Sequence, residues 1–570
     1  MSGSFFGLNI ARSGLFASQR ALQITGHNIA NAGTPGYSRQ RLNVNQSNPI
    51  SLPGGEGMLG TGVDTDNIQQ IRDEFLDFKI RQEFVTKGEW EARSESLQQI
   101  EAIFNEPSDS GVRKVMDEFF SALHELNKNP DNLTARAQVR ERGIALTKTI
   151  NYMYNQLEDM QENTDFAIET TVNQINGYAK EIAALNEQII RYELDGSNAN
   201  DLRDQRNLLI DKLSQLVDIE VQEIPISGSK DGASTLKIMI NGSTLVFQEK
   251  YNKLELRPRE ITKNYLDRPN LLEVSWETGT SFSCVSGKLK GLLDIRDNMT
   301  GKEKGIPYYM NQLNRFSTTF AAHFNMQHGA GYGLSDSGTG IPFFNGPYLM
   351  KVASGYTLSA DEKASGYKII TDASGNEYKT KDLNNSGVEF ALPTDVVGSK
   401  DEEIIRNFED KNKGFTLIKI DGNWFKTKTI NAGNMDISKE IHDSLNNIAA
   451  ASNADSLGEG LAGDGNNALK LNELRHDVDM FEWGSPDDFF KSVISNLGVD
   501  GQEAIRMVDN QQVLINDIDN KRQSISGVSL DEEMSNMIKF QHAYNACARM
   551  ITTVDEMLDK IINGMGTVGR

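Results

Sequence analysis

Few residues in this chain have the type and spacing that chemistry requires. Gly458-Glu-Gly-Leu-Ala-Gly463 fits G-x-G-x-x-G by letter, but that dinucleotide fingerprint needs a strand before it, so that a tight turn delivers backbone N–H groups to a pyrophosphate. Here a helical pattern ends just before the glycines. The run reads as a loop between helices, with Asp464 capping the next one. The seven histidines include no H-E-x-x-H pair, and His323 and His328, five residues apart, are turned about 140° from each other on a helix and away from a shared zinc. Asp201, Asp204 and Asp211 lie at helical spacing beside Arg203 and Arg206, a pattern that predicts a solvated ion-pair face rather than an acid and base pair. No G-x-S-x-G nucleophile elbow is present. Cys284 and Cys547 stand far apart and read as small buried hydrophobes, not a disulfide framework. These residues predict no catalytic site, no cofactor and no metal.

Bulk properties narrow the class further. The chain of 570 residues is too long for one core and predicts three to five domains at ~100 to 200 residues each. A net charge of -22 with no basic stripe excludes nucleic acid as the partner, because neutralising phosphates takes clustered Lys and Arg. The opening Met-Ser-Gly-Ser-Phe-Phe-Gly lacks a secretory leader, and no run reaches the ~18 apolar residues of a membrane span. Taken alone, these features predict a cytoplasmic protein.

The informative pattern lies in the elements at the two ends. Met537, Phe540, Tyr544, Cys547, Ile551, Val554, Leu558 and Ile561 alternate by three and four, the seam of a coiled coil. Leu8, Leu15, Leu22 and Ile29 recur every seventh residue, and three positions on stand Ala11, Ser18, Thr25 and Ala32, a small-residue stripe that admits a second helix at close range. An isolated helix of this length is marginal in water, so each end needs a partner and each can serve the other.

The run Ser13-Gly-Leu-Phe-Ala-Ser-Gln-Arg-Ala-Leu22, then His27-Asn-Ile-Ala-Asn31 and Thr34-Pro-Gly-Tyr-Ser-Arg39, resembles the rod and hook class of bacterial flagellar axial proteins. The run Ser526-Gly-Val-Ser-Leu-Asp-Glu-Glu533 with its helix is similar to the other end of that class. Three interior stretches narrow the resemblance to its hook-associated, junction-forming members: residues 200–206 with 213–221, residues 287–293, and residues 320–328. It covers most of residues 1–330 and 455–563 and leaves 331–450 unmatched. It makes Asn28, Asn31, Thr34, Pro35, Gly36 and Tyr37 the family motif. It implies a structural, non-catalytic protein at the hook–filament junction, outside the cell, exported through the flagellar type III apparatus without a cleaved signal. The partners it implies are further copies of the chain in a ring, the hook protein, a second junction protein (hook-associated protein 3), and an export chaperone covering Met537, Phe540, Ile551 and Leu558. A hook subunit shares the terminal motifs but has no use for the long helices; a coiled-coil adhesin with a head at 331–450 predicts a leader or an anchor.

The fold expected is multidomain, mainly α with β insertions, with long coiled-coil-like helices from both chain ends, nested domains and two β-rich subdomains from the middle. Residues 1–62 and 523–570 form a terminal coiled coil, disordered in the monomer. Residues 63–218 and 436–522, with 286–328, form a helical bundle. Residues 219–285 make a small β subdomain and 329–435 an inserted surface β domain. In detail, Gly33 ends the first helix and residues 33–62 are an irregular connector. Asp64 or Asp66 caps a helix that buries Phe75, Phe78, Trp90, Leu97, Ile100 and Phe104, which residues 106–111 break. A rod over 131–194 slips register between Met160 and Ile175 and ends at Asp195-Gly196. Asn241-Gly242 and Asp421-Gly422 mark hairpins, and helices cover 436–452, 466–475 and 486–522.

Overall fold

A computed structural model describes residues 4–51, 57–104, 111–194, 197–225, 234–301, 303–334, 340–372, 374–381, 387–392, 394–456 and 458–564. The expected breaks at 106–110 and at Asp195-Gly196 lie outside the described residues, as does Pro53.

Helix α1 (Ser4–Asn31) is followed by a turn whose left-handed residue is Gly36, at φ 79°, rather than Gly33. A Cβ there would also press on Leu208 at 3.1 Å. The expected irregular connector is instead a two-stranded ribbon: β1 (Gln40–Gln46) runs antiparallel to β4 (Val63–Gln70), with β2 (Ile50–Ser51) and β3 (Met58–Leu59) pairing nearer the tip. Asp64 and Asp66 therefore sit in a strand. Asp73 caps α2 (Glu74–Phe104), its Oδ1 accepting from the N–H groups of Phe75 at 3.0 Å and Leu76 at 3.3 Å. Burial on α2 falls on Ile80, Val85, Ala92, Leu97, Ile100 and Phe104, whereas Phe75 and Phe78 are exposed.

After α3 (Val112–Lys128), helix α4 (Leu133–Glu193) runs unbroken for 61 residues, about 90 Å at 1.5 Å per residue. Asn132 caps it. The helix runs unbroken through the expected slip, where the buried positions Met160, Thr164 and Ile168 step by four twice in a row; Thr164 and Thr171 face inward and return their hydroxyl protons to the carbonyls of Met160 and Ala167, each at 2.8 Å, so polar side chains enter the seam satisfied. One half of α4 packs Leu146, Ile150, Met153 and Leu157 into an aromatic core; the other packs Ile168, Val172, Ile175 and Ile182 into a second core shared with α5 (Asn200–Leu216), which returns antiparallel.

This second half also carries the small β unit: β5 (Glu220–Pro225), β6 (Ser234–Ile240), β7 (Ser243–Phe247) and β8 (Lys250–Tyr251) in one antiparallel sheet, and β9 (Leu254–Pro258) paired with β10 (Leu272–Trp276). Asn241 and Gly242 both take positive φ, the type I′ requirement. Helices α6 (Lys288–Asp297) and α7 (Ile306–Gly329) follow, α7 filling the central core with Phe316, Phe320 and Phe324.

The insertion holds two three-stranded sheets and two helices: β11 (Tyr348–Val352), α8 (Ala360–Ala364), β12 (Tyr367–Thr371) and β13 (Glu377–Lys381), then β14 (Val388–Phe390), α9 (Asp401–Lys411), β15 (Phe415–Ile420) and β16 (Asn423–Lys428). Residues 436–452, expected as a helix, contain only α10 (Lys439–Asp443) and a short 3-10 turn. The carbonyls a helix would use are taken by other elements: Arg136 donates to Leu445 at 3.3 Å and Ile448 at 2.6 Å, and Asn467 to Ala449 at 2.7 Å.

Beyond α11 (Asn466–Glu473), α12 (Pro486–Ser526) starts on a capping box of Ser485 and Asp488. Its first half buries Phe489, Phe490, Val493 and Leu497 in the central core. Its second half runs back along α2, bringing Arg522 within 3.6 Å of Asp77. Helix α13 (Leu530–Asp559) then pairs with α1. The chain thus closes on itself in nested layers, with the β units in the middle. Among the described residues no helix is long and apolar enough to cross a membrane.

Candidate functional site: the paired chain ends and their clasp

The two ends form one antiparallel pair in a single register. A methyl group added at Gly7 would meet Val554 at 3.9 Å, one at Gly14 would lie 2.9 Å from Cys547 Sγ, and Asn28 Nδ2 donates to Glu533 Oε2 at 3.1 Å. The contacts step by heptads up one helix and down the other, the repeat of a supercoiled pair.

On α1 the fully buried positions are Ala11, Ala17, Ser18, Ala21, Ile24, Thr25 and Asn28. Leu8, Leu15, Leu22 and Ile29, placed by their spacing on the seam, are half-buried instead, and Ala32 is exposed. Small side chains let the helices approach, and the leucines flank the contact. On α13 the half-buried stripe is Met537, Phe540, Tyr544, Cys547, Ile551, Val554 and Leu558. Ile561 is 51 % exposed, because the helix ends at Asp559 and a wider π-turn from Lys560 to Gly564 rotates it outward. The outer face of α13 exposes Leu530, Met534, Ile538, Met550 and Met557.

A clasp of polar groups ties this pair to the rod. Asn28, buried, donates to the Gln40 carbonyl at 2.9 Å as well as to Glu533, and its Oδ1 accepts from Gln40 N–H at 3.0 Å and the Tyr37 hydroxyl at 2.8 Å. Both donors and both acceptor positions of the amide are used. Asn31 Oδ1 accepts from Thr34 Oγ1 at 3.3 Å, and Tyr37 N–H donates to the Thr34 carbonyl at 3.2 Å. Exposed Pro35 and left-handed Gly36 complete the turn. Burial, with the charges of Asp201, Asp204 and Glu533, pushes the Tyr37 hydroxyl well above its ordinary pKa, so it stays a donor.

Residues outside the spacing-based motif complete the clasp. Arg39 Nε meets Glu533 Oε1 at 2.8 Å and its Nη2 meets Glu532 Oε1 at 2.8 Å. Burial works against the Arg39 charge, but hydrogen bonding to Glu532 and the Glu533 and Glu532 charges outweigh it and raise its pKa. Glu533, at 2 % exposure, is the single fully buried residue on α13. Arg39 N–H also donates to the Ser526 carbonyl at 2.8 Å. Asp204 accepts from Ser38 N–H at 2.9 Å and from Gln70 at 2.8 Å, and pairs with Arg72 at 3.2 Å; Asp211 pairs with Arg81 at 2.7 Å and Arg522 at 2.9 Å. Asp204 thus ties α5 to the ribbon and to the segment before α2, and Asp211 ties α5 to α2 and α12, both buried rather than on the solvated face their spacing predicted; only Asp201 is exposed, meeting His27 at 3.2 Å. Arg39 sits inside the N-terminal motif run and Glu533 ends the C-terminal one, so opposite charges in the two runs were the available signal.

Elsewhere the candidates stay structural. His328 is buried neutral, Nδ1 on the Ile341 carbonyl at 2.7 Å and Nε2 accepting from Ala449 N–H at 2.9 Å. Asp464 gathers the N–H groups of Ser452, Asn453 and Asn466, each at 3.0 Å, to pin the glycine loop. Cys284 and Cys547 are free thiols, half-buried.

Long nested helices and two chain ends clasped as one coiled coil define an axial protein of the bacterial flagellum. The flagella basal body rod protein family matches residues 8–37 and the flagellar basal body rod FlgEFG protein C-terminal family matches residues 520–564, the two halves of the pair; the flagellar hook-associated protein FlgK helical domain matches residues 97–344. The chain is 34 % identical to flagellar hook-associated protein 1 of Bacillus subtilis across the whole of both chains, and 28 % identical to that of Escherichia coli over 98 % of this chain and 99 % of the other. The solved flagellar hook junction protein FlgK from Burkholderia pseudomallei shares the fold at a TM-score of 0.54 and 16 % identity, covering 79 % of this chain and all of that one. The chain belongs to the flagellar hook-associated protein 1 family, and is a structural protein of the flagellum.

Proposed function

We propose that the chain caps the distal end of the hook as the junction on which the filament is built, and that the clasped terminal pair is the device that fixes it there. The observation that carries this is the single heptad register joining α1 to α13, tied through Asn28, Glu533 and Arg39 to β1 and the end of α12. Within the chain each end buries its stripe only on the other and leaves apolar residues outside the pair; we infer that the pair opens in the isolated monomer, freeing the terminal ~35 residues at each end, and closes on assembly, where neighbouring copies offset the ordering entropy. Before that, an exposed stripe of Met537, Phe540, Ile551 and Leu558 invites aggregation, and an export chaperone covers it. The outer apolar face of α13, with Met534, Ile538, Met550 and Met557, supports lateral contact between copies in a ring. Along the axis the neighbours are the hook protein and a second junction protein, hook-associated protein 3. The chain leaves the cell unfolded, without a cleaved signal.

Electron microscopy of cells lacking the chain, with flagellin assayed in the medium, tests the reading. Finished hooks without filaments, and flagellin lost to the medium, are expected. Missing hooks point to a hook or rod subunit, and normal filaments to an accessory protein or adhesin.

A further inference from the structure

Far from the clasp, three carboxylates from separate segments converge beside α2. Glu89 belongs to α2, Asp294 to α6 and Glu303 to the loop before α7, and one oxygen from each lies within 4.8 Å of the others. That is the span of two oxygens on opposite sides of a calcium ion at about 2.4 Å. Asp294 is 7 % exposed, and its Oδ2 is buried with no hydrogen-bond partner. Two cations face the group: Lys290 Nζ on Asp294 Oδ1, and Arg93 Nη1 at 3.0 Å from Glu303 and 3.6 Å from Glu89. Ser286 Oγ donates to Glu89 at 2.6 Å. Three negative charges therefore meet two positive ones, and an unpaired buried carboxylate oxygen is costly.

We propose that Glu89, Asp294 and Glu303 form a divalent-cation site, suited to calcium, that straps the loop before α7 to α2 and α6. The donor set is all oxygen, which selects a hard cation over zinc or copper. One converging oxygen from each carboxylate supplies three ligands and water the rest. Lys290 holds its charge on a flexible stem, is 30 % exposed at the side chain, and can swing to solvent as the ion enters. The strap would be structural: Lys304, next to Glu303, pairs with Asp500 of α12 at 2.7 Å, so an ion on Glu303 joins α2, α6 and α12 at one point.

The test uses the full chain, dialysed against a chelator and titrated with calcium chloride, magnesium chloride or sodium chloride of equal ionic strength, read by calorimetric binding and thermal unfolding. Expected is saturable calcium binding with a dissociation constant on the order of 10⁻⁴ to 10⁻³ M and a rise in the unfolding midpoint. Magnesium gives a smaller rise and sodium none. The response disappears in Glu303→Gln, whose loop position leaves folding intact, and in Asp294→Asn. No saturable binding up to about 10 mM, a response equal for all three salts, or an undiminished response in Glu303→Gln overturns the site.

Discussion

Asn28 spends its side-chain amide on both sides of the joint between coiled coil and rod, so its replacement acts on the connection and not on a core. Asn28→Ala strands the Gln40 backbone groups and leaves Glu533 with Arg39 alone, a cost of about 1 to 3 kcal/mol per buried unsatisfied group. Asn28→Asp adds a negative charge against Glu533 and is worse. Expressed in cells lacking the chain, the alanine variant should lower the filament count per cell and the aspartate variant abolish filaments, with central unfolding unchanged; equal counts for all three chains would rule the clasp out. His328 gives a separate test in the central core. Burial lowers its pKa to about 4, against an ordinary ~6.5 in the unfolded chain. The folded state holds it neutral, so its contribution is complete above pH ~6.5 and is lost as pH falls toward 4, about 3 kcal/mol in all. Urea unfolding of the core should show that slope in the wild type and a flatter one in His328→Gln; parallel slopes count against it. The charge partners here were hard to foresee from spacing. Asp204 and Asp211 look like surface residues on α5 until Arg72 arrives from the segment before α2, Arg81 from α2 and Arg522 from α12.

Periodicity made the long elements readable, because burial of a stripe is what holds a helix of that length. It revealed α4, α12 and α13, and the Asn-Gly and Asp-Gly turns, where positive φ is a local demand. It failed where distant groups compete for the backbone. Residues 436–452 carry a helical pattern, yet Arg136 and Asn467 take the carbonyls, and residues 40–46 pair with 63–70 as a ribbon that glycine and proline content alone concealed. On α1 the small-residue stripe read from the sequence, Ala11, Ser18 and Thr25, is buried in the contact, whereas the heptad leucines flank it. Gly14 tests that contact. Its built Cβ lies 2.9 Å from Cys547 Sγ, within the reach of a disulfide. Gly14→Cys should therefore oxidise within one chain. The oxidised chain should then show hydrogen-exchange protection at both ends that its reduced form lacks. Failure to cross-link contradicts the register, and equal protection in the reduced chain contradicts the unpaired monomer. Gly14→Leu overpacks the same point by about 1 to 3 kcal/mol and should hinder assembly.

At the scale of the molecule the chain combines a rod of about 90 Å in α4, β units on its flank, and two ends that meet at a joint between the ribbon, α5 and α12. The family sets its place in the flagellum, and the central claim concerns how it is held there. Ile551 lies on the half-buried stripe of α13, far from every core cluster. A charge there is unpaired once the helices close. The most direct measurement is electron microscopy of cells whose sole copy is Ile551→Asp, alongside thermal unfolding of the purified variant. The account predicts hooks without filaments and a central unfolding transition like that of the wild type; normal filaments on those cells would contradict it.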